Sequence, residues 1–236
     1  TTIVSVRRGN QVVIGGDGTF TGAHILSEEF GVPVAGVPAT IDNDLYGTDV
    51  TIGFDTAINT ALNAIDNIRD TASAHDRIFI IEVMGRNSGY IGVDVGIAGG
   101  AEAIVIPERH QGPDEIAEQI KRGRDRGKSY SIIVVAEGET PGNSMELADV
   151  LKNSHDLNSR VCILGHIQRG GKPTARDRKV ASVFGALAVP VVVEGHTDFM
   201  TGVLGWGPRL VPLGSAITEK KGLPEDLLLL ADILAT

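Results

Sequence analysis

The chain has 236 residues, 42% of them hydrophobic, enough to bury the core of one large α/β domain or two smaller ones, and this excludes a disordered chain. Its net charge of -9 argues against a nucleic-acid surface, which needs an excess of Lys and Arg, so any anionic ligand must be met by a local basic cluster. A single cysteine, Cys162, excludes an internal disulfide, and with no leader pattern and no apolar run long enough to cross a bilayer the composition points to the cytoplasm and away from a membrane.

The first predicted elements are two strands, Thr1 to Val6 and Gln11 to Ile14, separated only by Arg7-Arg8-Gly9-Asn10. That spacing fits a hairpin and is too short for a crossover helix. Next come a helix containing Ala23 to Glu29 and a strand at Pro33 to Val37. From Asp55 to Asp70 the residues Ile58, Ala61, Leu62, Ile65 and Ile68 fall on one stripe at spacings of three and four, which predicts an amphipathic helix. Further strands follow at Ile78 to Val83, Ala103 to Ile106, Ile132 to Val135 and Val161 to Leu164. They are mostly apolar throughout rather than alternating, as strands buried on both faces are. Pro113-Asp114-Glu115 in a first turn and Ser144 as an N-cap before Met145 to Lys152 signal two more helices. Arg178 to Glu194 reads as one helix, although Pro190 within it should kink it. Alternating strand and helix means an α/β fold with doubly wound, mostly parallel sheets.

Two motifs carry chemistry on their own residue types. Gly15-Gly16-Asp17-Gly18-Thr19 follows a buried strand and precedes a helix, where backbone N–H groups can approach phosphate and Asp17 offers a hard oxygen to Mg²⁺. Its bland reading is a tight turn. Pro38-Ala39-Thr40-Ile41-Asp42-Asn43-Asp44 ends the next strand and sets two carboxylates at the sheet's carboxyl edge, where ligands of open α/β sheets bind. One carboxylate can accept a hydroxyl proton while the other supports a metal or orients its neighbour, as phosphoryl transfer requires. An Asx-rich loop is the alternative.

These two motifs, followed in order by Met84-Gly85-Arg86-Asn87-Ser88-Gly89-Tyr90 and Gly165-His166-Ile167-Gln168-Arg169-Gly170-Gly171, resemble the bacterial ATP-dependent 6-phosphofructokinases. The resemblance runs from about Gln11 to the carboxyl end. It implies two doubly wound α/β domains, a homotetramer, and transfer of the ATP γ-phosphoryl group to the 1-hydroxyl of fructose 6-phosphate in glycolysis. It implies that Gly16, Asp17, Gly18 and Thr19 hold the nucleotide phosphates, with Asp17 on Mg²⁺, and that Asp42 is the base, in a wall completed by Thr40, Ile41 and Asp44. Met84, Gly85 and Arg86 match the segment that meets the sugar and the transferring group, where a guanidinium stabilises developing charge. Glu137 matches a ligand of a sugar hydroxyl, and His166, Ile167, Gln168 and Arg169 match the sugar-phosphate contact. Arg77 and Arg160 match arginines lent by a neighbouring subunit.

An effector site for ADP or phosphoenolpyruvate is implied at Arg69, Gly100-Ala101-Glu102, Arg126, Lys128, Ser129 and Tyr130, where solvated charge is the plain alternative and Ser129-Tyr130 replaces a more basic stretch. Gly18 and Ala39 are both small where pyrophosphate-using relatives tend to carry Asp and Lys, which favours ATP as donor. The domains expected are 1–50, the remainder of a nucleotide-binding domain, 51–165, mainly sugar-phosphate binding, and 166–236, a return to the first domain with a C-terminal helix. The family's amino-terminal part, with a further glycine-rich loop, is absent or reduced to Thr1 to Asn10. The competing functions are a pyrophosphate-dependent phosphofructokinase, a lipid or NAD kinase with a similar phosphate loop, and a non-catalytic regulatory chain.

Overall fold

Apolar runs in this sequence become parallel strands and the striped segments become the helices that cover them, in a computed structural model that describes residues 3–7, 10–72, 77–138, 142–205 and 207–234. The chain divides into two units, Thr1–Asp55 with Pro173–Gly222 and Thr56–Lys172 with Leu223–Thr236.

In the first unit, β1 (Ile3–Arg7) and β2 (Asn10–Gly15) form the expected antiparallel hairpin, with Val4 opposite Val13. Then follow α1 (Asp17–Phe30), β3 (Val34–Pro38), α6 (Ala175–Val193), β8 (Phe199–Leu204), β9 (Gly207–Pro212) and α7 (Leu213–Thr218). The sheet order is β1-β2-β3-β8-β9, and β2, β3 and β8 run parallel. Phe20 and Ala23 of α1 pack with Leu213 and Ala216 of α7 around Val13 and Val34, whereas Phe184, Ala188 and Val192 of α6 pack with Ala35 and Val37. Successive β3 residues therefore feed different cores, which is why the run lacks alternation in hydrophobicity. Gly36 is required by space, since a Cβ there would lie 2.9 Å from the Phe20 ring. The helix over Ala175–Val193 continues past Pro190 because that residue sits exposed in the last turn, and its carbonyl still accepts from Glu194 N–H at 2.8 Å. The missing proline N–H leaves the carbonyl of Ala186, an exposed residue, without its helical donor.

The second unit holds α2 (Phe54–Ala72, its first two residues in the first unit), β4 (Ile78–Val83), α3 (Tyr90–Gly99), β5 (Ala103–Val105), α4 (Pro113–Asp125), β6 (Ser131–Ala136), α5 (Asn143–His155), β7 (Ser159–Ile163), a 3₁₀ turn at Gly165–Arg169 and α8 (Glu225–Leu234). Its sheet is all parallel, in the order β5-β6-β4-β7. Ile116, Ile120 and Leu151 from α4 and α5 cover Ile78, Ile80 and Ile133 on one face. On the other, Val93 of α3 packs with Ile106, Ala136 and the partly buried Leu223, Leu227 and Leu228. Burying each such Ile or Leu stabilises by about 1.5–3 kcal/mol. That packing groups α8 with the second unit.

Ser144 does not cap α5. The N-cap is Gly142, and the Ser144 hydroxyl donates to the carboxylate of Glu82, which is only 1% exposed and also accepts from the N–H groups of Gly142 and Ser144. A buried carboxylate at a helix start does the capping from another strand.

Candidate active site

In the first unit, β2 ends at Gly15 and α1 begins at Asp17, so the glycine turn becomes the start of a helix. Gly16 is the N-cap and has no side-chain cap to offer, and its carbonyl accepts from the N–H groups of Thr19 and Phe20 at 3.1 and 3.0 Å. The helix start presents its first-turn N–H groups and the positive end of its dipole to any anion. Asp17 and Gly18 are exposed. A cavity of about 340 Å³ lies beside them, lined by Gln11, Val13, Gly18, Thr19, Gly22, Ala23 and Leu26. A Cβ on Gly18 or Gly22 would meet nothing within 4 Å, so both leave open space. Sequence reasoning missed Gly22. Its spacing of one helical turn from Gly18 is the signal that could have found it.

The neighbouring strand β3 leads into the second motif. Asp42 N–H bonds the Thr40 hydroxyl at 3.2 Å, and that hydroxyl lies 3.4 Å from Asp42 Oδ2. Thr51 donates to the Thr40 carbonyl at 2.6 Å, and Ile41 is half-buried beside Gly53. Asn43 adopts a left-handed φ of 53° and is buried, with its Nδ2 on the Asp49 carbonyl. This conformation turns the chain between the two acids, a place where Asn is tolerated. Partial burial and then the neighbouring Asp42 carboxylate hold the Asp44 carboxyl above its ordinary value of 3.8, and Asp17 adds to the effect while Lys221 opposes it. Asp17, Asp42 and Asp44 thus share one electrostatic field, although Asp44 itself remains exposed. The exposed Asp17 carboxylate at the helix start fits Mg²⁺, which is usually held by one or two carboxylates together with substrate phosphates. Among the described residues it is His24, Glu28 and Asp198 that lie within metal-ligand distance of one another, but His24 Nδ1 already bonds Asp198 at 2.8 Å and ties α1 to the turn before β8.

In the second unit the direction of the crossovers reverses within the sheet. After β4 the chain crosses through α3 to β5, and after β6 it crosses through α5 to β7, in the opposite direction. The loops therefore part between the carboxyl ends of adjacent β4 and β6, a topological switch point where ligands bind. Met84 to Arg86 leave β4 there, and Glu137 leaves β6, with its N–H on the Val83 carbonyl at 2.8 Å. Gly85 has φ 152°, and a Cβ there would lie 2.4 Å from the Ser88 carbonyl. Arg86 is exposed and left-handed at φ 51°, a strained conformation for a residue with a Cβ. Glu137 is buried.

The 3₁₀ turn after β7 adds His166, Ile167 and Arg169, all exposed, and Gln168, which is 1% exposed. Gln168 Oε1 accepts from Met84 N–H at 2.8 Å, and its Nε2 has no partner among the described residues. Its carboxamide thus registers the Met84 loop against the His166 turn. Glu82 adds a second tie, because its backbone carbonyl accepts from Leu164 N–H at 3.0 Å. Arg160 is exposed on the edge strand β7, opposite Phe79, and Arg77 is half-buried with its carbonyl bonded to Ser131 N–H.

The implied effector residues gather near the amino ends of these strands. Arg69 bonds the Gly99 carbonyl and Asp66, and its guanidinium lies 3.6 Å from where a Cβ on Gly100 would sit. Lys128 pairs with the buried Glu102 at 3.2 Å, and Ala101 N–H bonds the Gly96 carbonyl. Arg126 and Ser129 are exposed and Tyr130 is half-buried.

Comparisons agree with these features. The phosphofructokinase family profile matches residues 9–192. The chain is 54% identical over 224 residues to the ATP-dependent 6-phosphofructokinase 1 of Thermus thermophilus, covering 95% of this chain and 70% of that protein. It is 50% identical over 226 residues to the ATP-dependent 6-phosphofructokinase of Listeria welshimeri, covering 95% and 69%. Among solved structures, phosphofructokinase from Saccharomyces cerevisiae superposes with a TM-score of 0.79 at 32% identity, covering 94% of this chain and 33% of that one. A pyrophosphate-dependent phosphofructokinase from Marinobacter aquaeolei gives a TM-score of 0.77 at 25% identity, covering 96% and 67%.

Proposed function

The chain belongs to the phosphofructokinase family, and we propose that it transfers the γ-phosphoryl group of ATP to the 1-hydroxyl of fructose 6-phosphate. The observation that carries this reading is that the open glycine turn and helix start after β2 and the Asp42 to Asp44 loop after β3 leave the carboxyl ends of adjacent parallel strands, where Gly15 lies opposite Pro38. Gly16, Gly18 and Thr19 receive the nucleotide phosphates, and the open side of Gly22 leaves room for the rest of the nucleotide. Asp17 would hold Mg²⁺, which would supply charge neutralisation on the phosphates. Asp42 accepts the sugar hydroxyl proton as the new oxygen–phosphorus bond forms and the bond to the ADP oxygen breaks. Thr40 and Ile41 fix its wall, and Asp44 supports the field around it.

Met84, Gly85 and Arg86 meet the sugar and the transferring group, and the Arg86 guanidinium stabilises the charge developing on its oxygens. Glu137 binds a sugar hydroxyl. His166 and Arg169 bind the 6-phosphate, and Gln168 acts through Met84. Arg77 and Arg160 serve the site of a neighbouring subunit in a homotetramer. Arg69, Gly100, Ala101, Glu102, Arg126, Lys128, Ser129 and Tyr130 form an anion effector site for ADP or phosphoenolpyruvate, in which Arg126 is the exposed cation and Lys128 is already paired. The cytoplasm is the place of action.

Small residues at positions 18 and 39 support ATP as the donor, as does identity near 50% to relatives named ATP-dependent. The test is formation of fructose 1,6-bisphosphate by the purified chain with ATP and, separately, with pyrophosphate. Product with ATP alone supports the proposal. Product with pyrophosphate alone replaces the donor, and product with neither overturns the reading.

A further inference from the structure

We propose that Lys221 is a positioning residue that clamps the loop carrying Asp42 and thereby sets the direction of its carboxylate. This rests on Asp42 being the base of the proposed reaction. The ammonium of Lys221 donates to the Asn43 carbonyl at 2.8 Å and to the Asp49 carbonyl at 3.2 Å. These two carbonyls stand at opposite ends of the Asn43 to Asp49 turn. The clamp also has a backbone part, since Lys220 pairs with Leu45 in an antiparallel bridge one residue beyond Asp44. A strap formed by Lys220 and Lys221 therefore lies along Asn43 to Leu45, inside the first unit.

Asn43 is the residue between the two acids, and everything around it is held. It is 2% exposed and left-handed, its Nδ2 bonds the Asp49 carbonyl at 3.1 Å, and its Oδ1 lies 3.3 Å from the Thr51 hydroxyl that also fixes the Thr40 carbonyl. Its own carbonyl is where the ammonium attaches, and that carbonyl follows directly on the Asp42–Asn43 peptide. A bond from a charged donor is shorter and stronger than a neutral one. The Asn43 carbonyl belongs to the Asn43–Asp44 peptide, so loss of the ammonium would free that peptide to swing and, through the Asn43 Cα, loosen the Asp42–Asn43 peptide before it. A neutral side chain of the same length cannot replace it. No local signal in the sequence marks this residue, because it reaches Asn43 from 178 positions away.

The test uses the full chain with Lys221→Met, Lys221→Arg and Lys221→Ala. Misplacing a reacting group by about 1 Å costs on the order of 10²-fold, so Lys221→Met should lower kcat by about 10- to 100-fold with both KM values close to wild type. Lys221→Arg should recover most of kcat. Lys221→Ala should be rescued saturably by ethylammonium, which carries N–H donors, and not by tetramethylammonium, which carries the same charge without them. Hydrogen exchange should accelerate in peptides spanning residues 43–51 of the Met variant and stay unchanged in α1.

Wild-type kcat in Lys221→Met, a change confined to KM, or equal rescue by both cations overturns the proposal. So does failure of the Met and Ala variants to fold, because Lys221 then holds the fold rather than the base. If the wild-type chain makes no fructose 1,6-bisphosphate, the reading of the reaction fails, and hydrogen exchange still decides the clamp. Faster exchange confined to residues 43–51 supports the clamp, and unchanged exchange there refutes it.

Discussion

Arg86 combines an exposed side chain, proposed to meet the transferring group, with a backbone that favours glycine, so its two properties can be separated by two substitutions. Arg86→Ala removes the guanidinium and keeps the Cβ at φ 51°, whereas Arg86→Gly removes both. A Cβ in the left-handed region costs about 1–2 kcal/mol. Glycine returns about 0.4–1 kcal/mol of this through the greater freedom of its unfolded chain. The Gly variant should therefore be more stable than the Ala variant by roughly 0.5–1 kcal/mol, or about 2 °C in Tm for a chain of this size. Because the Arg86 side chain is exposed, its removal contributes little of its own. Both variants should lose about 10²–10³-fold in kcat, the usual worth of one preorganised donor at developing charge. Urea unfolding gives the stabilities and a coupled assay the rates. If Ala matches or exceeds Gly in stability, the loop is not strained at Arg86. If Gly keeps far more activity than Ala, the backbone rather than the guanidinium carries the effect.

Gly18→Asp should fold normally, since a Cβ there meets nothing within 4 Å, yet should raise the KM for ATP sharply by placing a carboxylate against phosphate while fructose 6-phosphate binding stays unchanged. An unaltered KM for ATP would refute the donor argument. Asp44 binds its proton more tightly folded than unfolded, so the stability it lends is complete below its ordinary 3.8 and is lost as pH rises through its raised folded value. Asp44→Asn should therefore resist urea better than wild type at pH 7, with the difference closing as pH falls toward 3.8; a difference independent of pH would exclude the shared field as its cause. Mixing Asp42→Ser chains with Arg160→Ala chains should restore activity in hybrids, because one chain lends the arginine to the other's intact base. Hybrids seen by native mass spectrometry that stay inactive would place Arg160 in its own chain's site or in none.

The strands Val34–Pro38, Ile78–Val83 and Ser131–Ala136 were legible because both faces are buried, and a continuous apolar run records that directly. The last strand of the second sheet reads from the sequence as Val161 to Leu164, but it is Ser159–Ile163, since this edge strand is nowhere fully buried and its apolar residues do not mark its ends. Helix Tyr90–Gly99 gave no signal, because it is buried almost all round and so has no stripe. The strand Gly207–Pro212 was missed for the opposite reason, being an exposed edge that carries two prolines. At the site, the glycine turn and the two acids were legible because each motif lies in one loop. The Gln168 carboxamide on Met84, the Glu82 cap of α5 and the Lys221 clamp were not, because burial and pairing across long sequence separations leave no local pattern.

The proposed reaction stands on Asp42 as the base that removes the proton from the attacking hydroxyl. Its most direct test is Asp42→Ser, with kcat measured beside calorimetric binding of fructose 6-phosphate. The account predicts that kcat falls by roughly 10²–10⁴-fold while the Kd for the sugar phosphate stays near wild type. A fall of less than about tenfold, or a loss of activity that simply follows a loss of binding, would contradict it.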